Sequence, residues 1–175
     1  MLIFLDTEFT SLEWAPELLS VGLVTEDPER SLYLERNDFL IENCSQFVVD
    51  EVLSLFGRNS HAATNYDGLG RRISRWFKSL GKPIILVCDS RLDIDLVMAL
   101  LWDYPLHRVD GYVLIDNFVE VPVFANAETT YLAARGLTKH HALHDALALK
   151  AGFHALPENI RDAILLCQFV RIGRR

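Results

Sequence analysis

The chain is poor in the features that mark secreted, membrane-bound and fibrous proteins. Its three cysteines, Cys44, Cys88 and Cys167, are odd in number and widely spaced. That argues against a disulfide framework. Buried thiols in a reducing, cytoplasmic setting are expected of all three. No uncharged run approaches the ~20 residues of a membrane helix, so no membrane partner is expected. Asp6 interrupts the apolar start after five residues. A signal peptide needs an apolar run of roughly 7–15 residues, so none is expected. There is no Ser/Gly-rich linker, no repeat and no charge-rich tail. One domain over residues 1–175 is the expectation. Positive charge is scarce too, with 17 Lys and Arg against 24 Asp and Glu, a net charge of −7. Phosphate polymers usually meet a basic surface, so this balance weighs mildly against a nucleic-acid partner.

What the chain does have is hydrophobic residue, half of the total, and clear periodicity. Strands are expected over 1–7, 17–26, 31–36, 84–88 and 111–115. The second and third form a hairpin across the turn Asp27-Pro28-Glu29-Arg30. The fourth, Ile84-Ile85-Leu86-Val87-Cys88, is wholly apolar and suits a sheet covered on both faces. Helices are expected over 45–56, with Ser45 as N-cap and Gly57 past its end, and over 69–80, 92–102, 127–135, 141–154 and 158–170. Three strands first, then alternation, predict an α/β fold: a mixed five-stranded sheet flanked by helices. The last helix is apolar nearly all round. Two readings of it stay open, a covered core helix and a helix with one face on a second subunit in a homodimer.

Chemistry concentrates in three places. The first is Met1-Leu2-Ile3-Phe4-Leu5-Asp6-Thr7-Glu8-Phe9-Thr10, where a buried strand ends in two acids. Residues i and i+2 of a strand share a face, and their Cα atoms lie roughly 6.6–7 Å apart. Asp6 and Glu8 would repel unless a cation lay between them. Mg²⁺ and Mn²⁺ take such hard oxygen ligands. The plainer alternative is a strand that ends in solvent with two wet acids. The second place is Cys88-Asp89-Ser90-Arg91-Leu92-Asp93. Here either Asp89 or Asp93 serves as a helix cap, or Asp93 is a third acid at the C-terminal end of a strand, where ligands collect in open α/β sheets. Asp95, two residues along the helix, points elsewhere. The third place is Thr138-Lys139-His140-His141-Ala142-Leu143-His144-Asp145-Ala146. His140 and His144 have a zinc-like i, i+4 spacing, but the further ligand and the intervening Glu of such sites are missing. Alternatively His140 precedes a helix that carries Asp145. Ala142 and Ala146 then let that helix approach the sheet closely. A histidine beside an activated water suits general-base work, since the unperturbed imidazole pKa is about 6.5.

Asp6-x-Glu8, Asp93 with Asp89 four residues before it, and His140-x-Ala142-x-x-Asp145 together resemble the three motifs of the DEDDh 3′–5′ exonucleases. These are relatives of ribonuclease T, oligoribonuclease and the polymerase proofreading subunits. The match spans residues 6 to 145 in order, and the short chain looks most like the small stand-alone bacterial exoribonucleases. The resemblance implies a ribonuclease-H-like fold and a single exonuclease domain. It implies Mg²⁺ (or Mn²⁺), two ions per site, held by Asp6, Glu8, Asp93 and Asp145. It implies His140 as the base, and Phe9 and Thr10 at the 3′-terminal nucleotide. The substrate would be single-stranded RNA trimmed from its 3′ end to nucleoside 5′-monophosphates. The alternatives are a DNA exonuclease of the same fold and a catalytically silent nucleic-acid-binding module. Phe9 as plain core and Thr10 as a turn residue are the ordinary readings of those two positions.

Departures fall outside the ligands. Phe9-Thr10-Ser11 replaces the usual Thr-Thr-Gly, Asp89 stands where Asn is common, and the stretch after Asp93 is unusually apolar. Two divalent ions carry +4 between them and would bring −7 to about −3. That balance suits short substrates. Arg71, Arg72, Arg75 and Lys78 lie opposite the apolar stripe of their helix and read as a solvated face sooner than as a nucleic-acid path.

Overall fold

A computed structural model describes residues 1–12, 15–27, 29–105 and 108–172. Its centre is a sheet of seven strands: β1 (Leu2–Phe9), β2 (Leu18–Thr25), β3 (Ser31–Arg36), β4 (Ala63–Thr64), β5 (Ile84–Cys88), β6 (Val109–Leu114) and β7 (Phe169–Arg171). Their spatial order is β4-β3-β2-β1-β5-β6-β7. β1 runs antiparallel to β2 and parallel to β5, so it sits where the sheet changes from one mode to the other. The helices are α1 (Tyr66–Leu80), α2 (Arg91–Leu100), α3 (Pro122–Arg135), α4 (Ala142–Ala155) and α5 (Glu158–Cys167). The mixed α/β class agrees with the expectation. The strand count does not: β4 and β7 are two and three residues long, too short to show a period.

Alternation along β1 sorts its side chains between two layers. Ile3 and Leu5 join the core beneath α1 and α2, with Leu69, Ile73, Phe77, Ile94 and Val97. Leu2 and Phe4 face α3, α4 and α5, with Phe124, Leu149, Phe153 and Ile164. Asp6 and Glu8 continue this second row beyond the apolar packing. The β2–β3 hairpin is present, and Thr25 N–H donates to Arg30 O at 2.9 Å across its turn. Pro28 of that turn lies outside the described residues.

Several boundaries differ from the sequence reading. Residues 45–56 do not form a regular α-helix. Ser45 does cap the segment, accepting from Val48 N–H at 3.3 Å, but a π turn follows over Val48–Val52 and a 3₁₀ turn over Leu53–Leu55. Three β-branched valines at 48, 49 and 52 explain the poor α geometry. α1 begins earlier, at Tyr66, because the Asn65 side chain accepts from Gly68 N–H at 2.9 Å. α3 begins earlier, with Pro122 in its first turn, where a missing N–H costs nothing.

The last helix stops at Cys167, and Phe169-Val170-Arg171 pairs with β6 instead. Only Ile164 of α5 is fully buried, and Leu166 is 83% exposed. A wholly covered core helix is therefore not what forms. Cys167 is exposed and Cys44 half-buried, so only Cys88 is the buried thiol expected of all three. Arg71 pairs with Asp67 on the surface at 2.6 Å, and Arg72 donates to the carbonyls of His61 and Ala62. No helix among the described residues is long and apolar enough to cross a membrane.

Candidate active site

The acidic end of β1 is reached from three directions. Asp6 stands opposite Gly22 of β2 in the strand register. A Cβ at Gly22 would lie 2.2 Å from the carbonyl oxygen of Ala142, so the missing side chain is what lets α4 settle there. Ala142 and Ala146 are both fully buried, as their size suggested. This close approach brings Asp145 over β1. From the other side, α2 begins just after β5 and presents Asp93. Its N-cap is Ser90, whose Oγ accepts from Leu92 N–H at 3.2 Å. Neither Asp89 nor Asp93 is therefore the cap.

The result is two overlapping sets of carboxylates. Ligand atoms of Asp6, Glu8 and Asp145 lie within 4.8 Å of one another, and so do those of Asp6, Asp89 and Asp93. Asp6 belongs to both. No histidine belongs to either set. His144 instead engages the Thr138 backbone, with Nδ1 3.1 Å from the carbonyl oxygen. The zinc-like spacing of His140 and His144 gathers no third ligand among the described residues.

Each acid is held differently. Asp93 is 2% exposed and accepts from Thr7 Oγ1 at 2.5 Å. Asp145 Oδ2 accepts from the backbone N–H groups of His140 at 2.7 Å and His141 at 3.2 Å. Those bonds tie the loop before α4 to the helix's own first turn. The same bonds fix the loop that carries His140, whose φ of +62° is in the left-handed region, disfavoured for a residue with a Cβ. The His140 ring meets the edge of Phe47 at 5.0 Å between centroids. Beneath it, His141 is stacked between Tyr33 at 4.2 Å and His144 at 3.9 Å. Burial and the His144 ring push His141 down to about 4, so it stays neutral.

Crowded, desolvated carboxylates resist ionising. Burial, then Asp93, Asp145, Glu8 and Asp89, hold Asp6 well above the usual range. Burial, with Asp145 and Asp93, pushes Glu8 up to about 8. Burial raises Asp93 to about 7 against the pull of the Thr7 hydroxyl. Burial also raises Asp145, opposed by its two N–H donors. The donor set is all hard carboxylate oxygen, which fits Mg²⁺ or Mn²⁺ and does not fit soft metals.

Every acid singled out in the sequence, Asp6, Glu8, Asp93 and Asp145, is brought to this place, with His140 on the adjoining loop. Phe9 is half-buried at the end of β1. Thr10 is 2% exposed and its hydroxyl accepts from Glu17 N–H at 3.0 Å, so it fastens the loop after the strand. Four residues beside the site escaped the sequence reading. Phe47 is 53% exposed. Tyr33 supports His141. Thr7 orients Asp93. Glu128 of α3 is pushed up to about 7 by burial and by Asp89 and Asp145. Only Thr7 carried a signal, being the polar residue between two acids. The others reach the site through tertiary packing.

No family model matches the sequence, and no curated protein matches it. Solved structures do. The crystal structure of cell-death related nuclease 4 (CRN-4) superimposes with a TM-score of 0.62 at 16% identity. The match covers 97% of this chain and 66% of that one, so this chain spans just under two thirds of its neighbour. The crystal structure of a full-length 3′-exonuclease gives 0.60 at 15% identity, covering 98% of this chain and 90% of that one. At such low identity the likeness is one of fold: a mixed sheet flanked by helices, of the ribonuclease-H-like kind, shared with two nucleases.

Proposed function

We propose that the chain is a metal-dependent 3′–5′ exoribonuclease, a single exonuclease domain working in the cytoplasm on single-stranded RNA ends. The observation that carries this reading is the pair of carboxylate sets meeting at Asp6. Asp6, Glu8 and Asp145 would hold one Mg²⁺ or Mn²⁺ ion, and Asp6 with Asp93 a second. When bound, such a pair supplies Lewis acidity at both the attacking and the leaving oxygen of an in-line displacement.

The remaining work falls to the chain itself. His140 takes the proton of the attacking water from a loop fixed by Asp145 and steadied by Phe47. Lys139 offsets the charge of Asp89 and Glu128 and, with His140, that of Asp145. Phe9 and the exposed Phe47 offer flat apolar surface to the terminal nucleotide. Thr10 keeps the turn behind Phe9 in place. The products are nucleoside 5′-monophosphates. The net charge of −7 favours short contacts over long tracking on polymer.

The test is incubation with 5′-labelled single-stranded RNA and DNA of one sequence, in Mg²⁺, Mn²⁺ or EDTA, beside His140→Ala. A ladder shortening from the 3′ end, absent in EDTA, is expected, with RNA the faster substrate. His140→Ala should lose about 10²–10³-fold in turnover and keep divalent-ion binding. Faster DNA trimming would move the reading to a DNA exonuclease. Intact probes in every lane would favour a silent binding module.

A further inference from the structure

Asp89 sits between the last residue of β5 and the Ser90 cap of α2. The duties open to an aspartate there are filled by others. Ser90 accepts the N-terminal N–H of α2. Arg91 turns away, to Asp95 at 2.9 Å and to the Tyr112 hydroxyl at 2.9 Å. What remains is a carboxylate with an oxygen within 4.8 Å of those of Asp6 and Asp93. Burial raises its pKa, its own backbone N–H pulls it back, Asp116 raises it further and Lys139 opposes that. Asp89 in turn raises both Asp6 and Asp93. Three desolvated acids thus converge, and the hydrogen bonds that oppose their crowding are the Thr7 hydroxyl and backbone at Asp93 and Asp89's own backbone N–H. An asparagine of the same shape would remove the repulsion and keep the packing.

We propose that Asp89 is a direct ligand of the second divalent cation, completing with Asp6 and Asp93 an all-protein oxygen site that fills without substrate. This deepens the metal-dependent reading above and rests on it. A hard cation held by one or two carboxylates usually completes its shell with waters and substrate phosphate. A third carboxylate relieves that dependence and offsets the mutual repulsion of the three acids. The free chain should therefore carry two ions, not one.

The experiment is calorimetric titration of the metal-free full chain with Mn²⁺, without nucleic acid, alongside electron paramagnetic resonance of the loaded protein. The parent is expected to bind two Mn²⁺ per chain and to show a spin-coupled pair. Asp89→Asn should keep the first ion, weaken the second by at least about tenfold and lose the coupled signal. Asp89→Ser should do the same, which guards against one variant that misfolds. Glu8→Gln should weaken the other ion and spare the one at Asp89. A parent that binds one ion, or variants at Asp89 that bind two with parental affinity, would overturn the inference and leave the metal-dependent reading standing. A parent that binds none would overturn both.

Discussion

The two halves of β1 lie in the same sheet, share a face and contact the same helix, yet they are opposite in kind. Leu2 and Phe4 pack into an apolar layer, where Phe4 is fully buried with its ring 5.5 Å from that of Phe153. Two residues on, Asp6 and Glu8 meet Asp93 and Asp145. The first half holds itself together by burying apolar surface. The second half buries charge, which folded chains tolerate only with hydrogen bonds or an opposite charge. Backbone N–H groups reach Asp145 and a hydroxyl reaches Asp93. Among the described residues, no comparable donor reaches the shared Asp6. The difference is one of role: the first half of β1 fastens α4 to the sheet, and the second half gathers acids that only protonation or an added cation would relieve.

Breaking the apolar half should have the largest effect on stability. Phe4→Ala is expected to cost about 3–5 kcal/mol, since Phe4 is fully buried against Phe153 and leaves a cavity. In a chain of this size each kcal/mol lowers Tm by roughly 2–4 °C. Thermal unfolding measured with and without Mg²⁺ should show the same loss in both. A loss confined to the metal-free protein would mean that the two halves are not separable.

The acidic half should show itself as a pH dependence with a set sign. Glu8 rises from 4.5 to about 8 on folding and Asp93 from 3.8 to about 7. Between those limits the folded chain keeps protons that the unfolded chain has released. Stability therefore falls as pH rises through that window. In EDTA, Tm should be highest near pH 5 and lower by several degrees at pH 8. Saturating Mg²⁺ should flatten the slope, because the bound ion favours the ionised acids. A metal-free Tm that climbs from pH 5 to 8 would contradict the crowding of carboxylates described here.

How much of this was readable in advance follows from which interactions are local. The row Leu2, Phe4, Asp6, Glu8 was legible because strand alternation is a local rule. The close approach of α4 was legible from Ala142 and Ala146, although its partner Gly22 was not. β7 was hidden because Phe169-Val170-Arg171 continues a helical apolar pattern, and pairing with β6 overrides it. The irregular turns after Ser45 were hidden because apolar spacing alone does not distinguish α from π geometry. Phe47, Tyr33 and Glu128 come to the site from segments with no motif of their own. Asp89 was visible as a departure from a familiar pattern, but the reason to count it among the acids is the place where β5 ends.

The smallest and sharpest effect concerns Asp6 itself. It is the acid shared by both carboxylate sets, and burial with four neighbouring acids holds it above the usual range. Asp6→Asn should abolish activity and the binding of both ions, yet it should make the metal-free protein more stable, by about 1–2 kcal/mol at pH 8. The amide keeps the shape of the side chain and removes one of the converging charges. The sign inverts that of Phe4→Ala, two residues away on the same face. The gain should shrink toward pH 4, where the carboxyl is protonated in the folded chain and no repulsion is left to relieve. Denaturant titration of both proteins in EDTA at pH 8 and pH 5 would measure it. An Asp6→Asn protein that is less stable than its parent at pH 8 would mean that Asp6 supports the fold, and that the two halves of β1 differ less than their residues suggest.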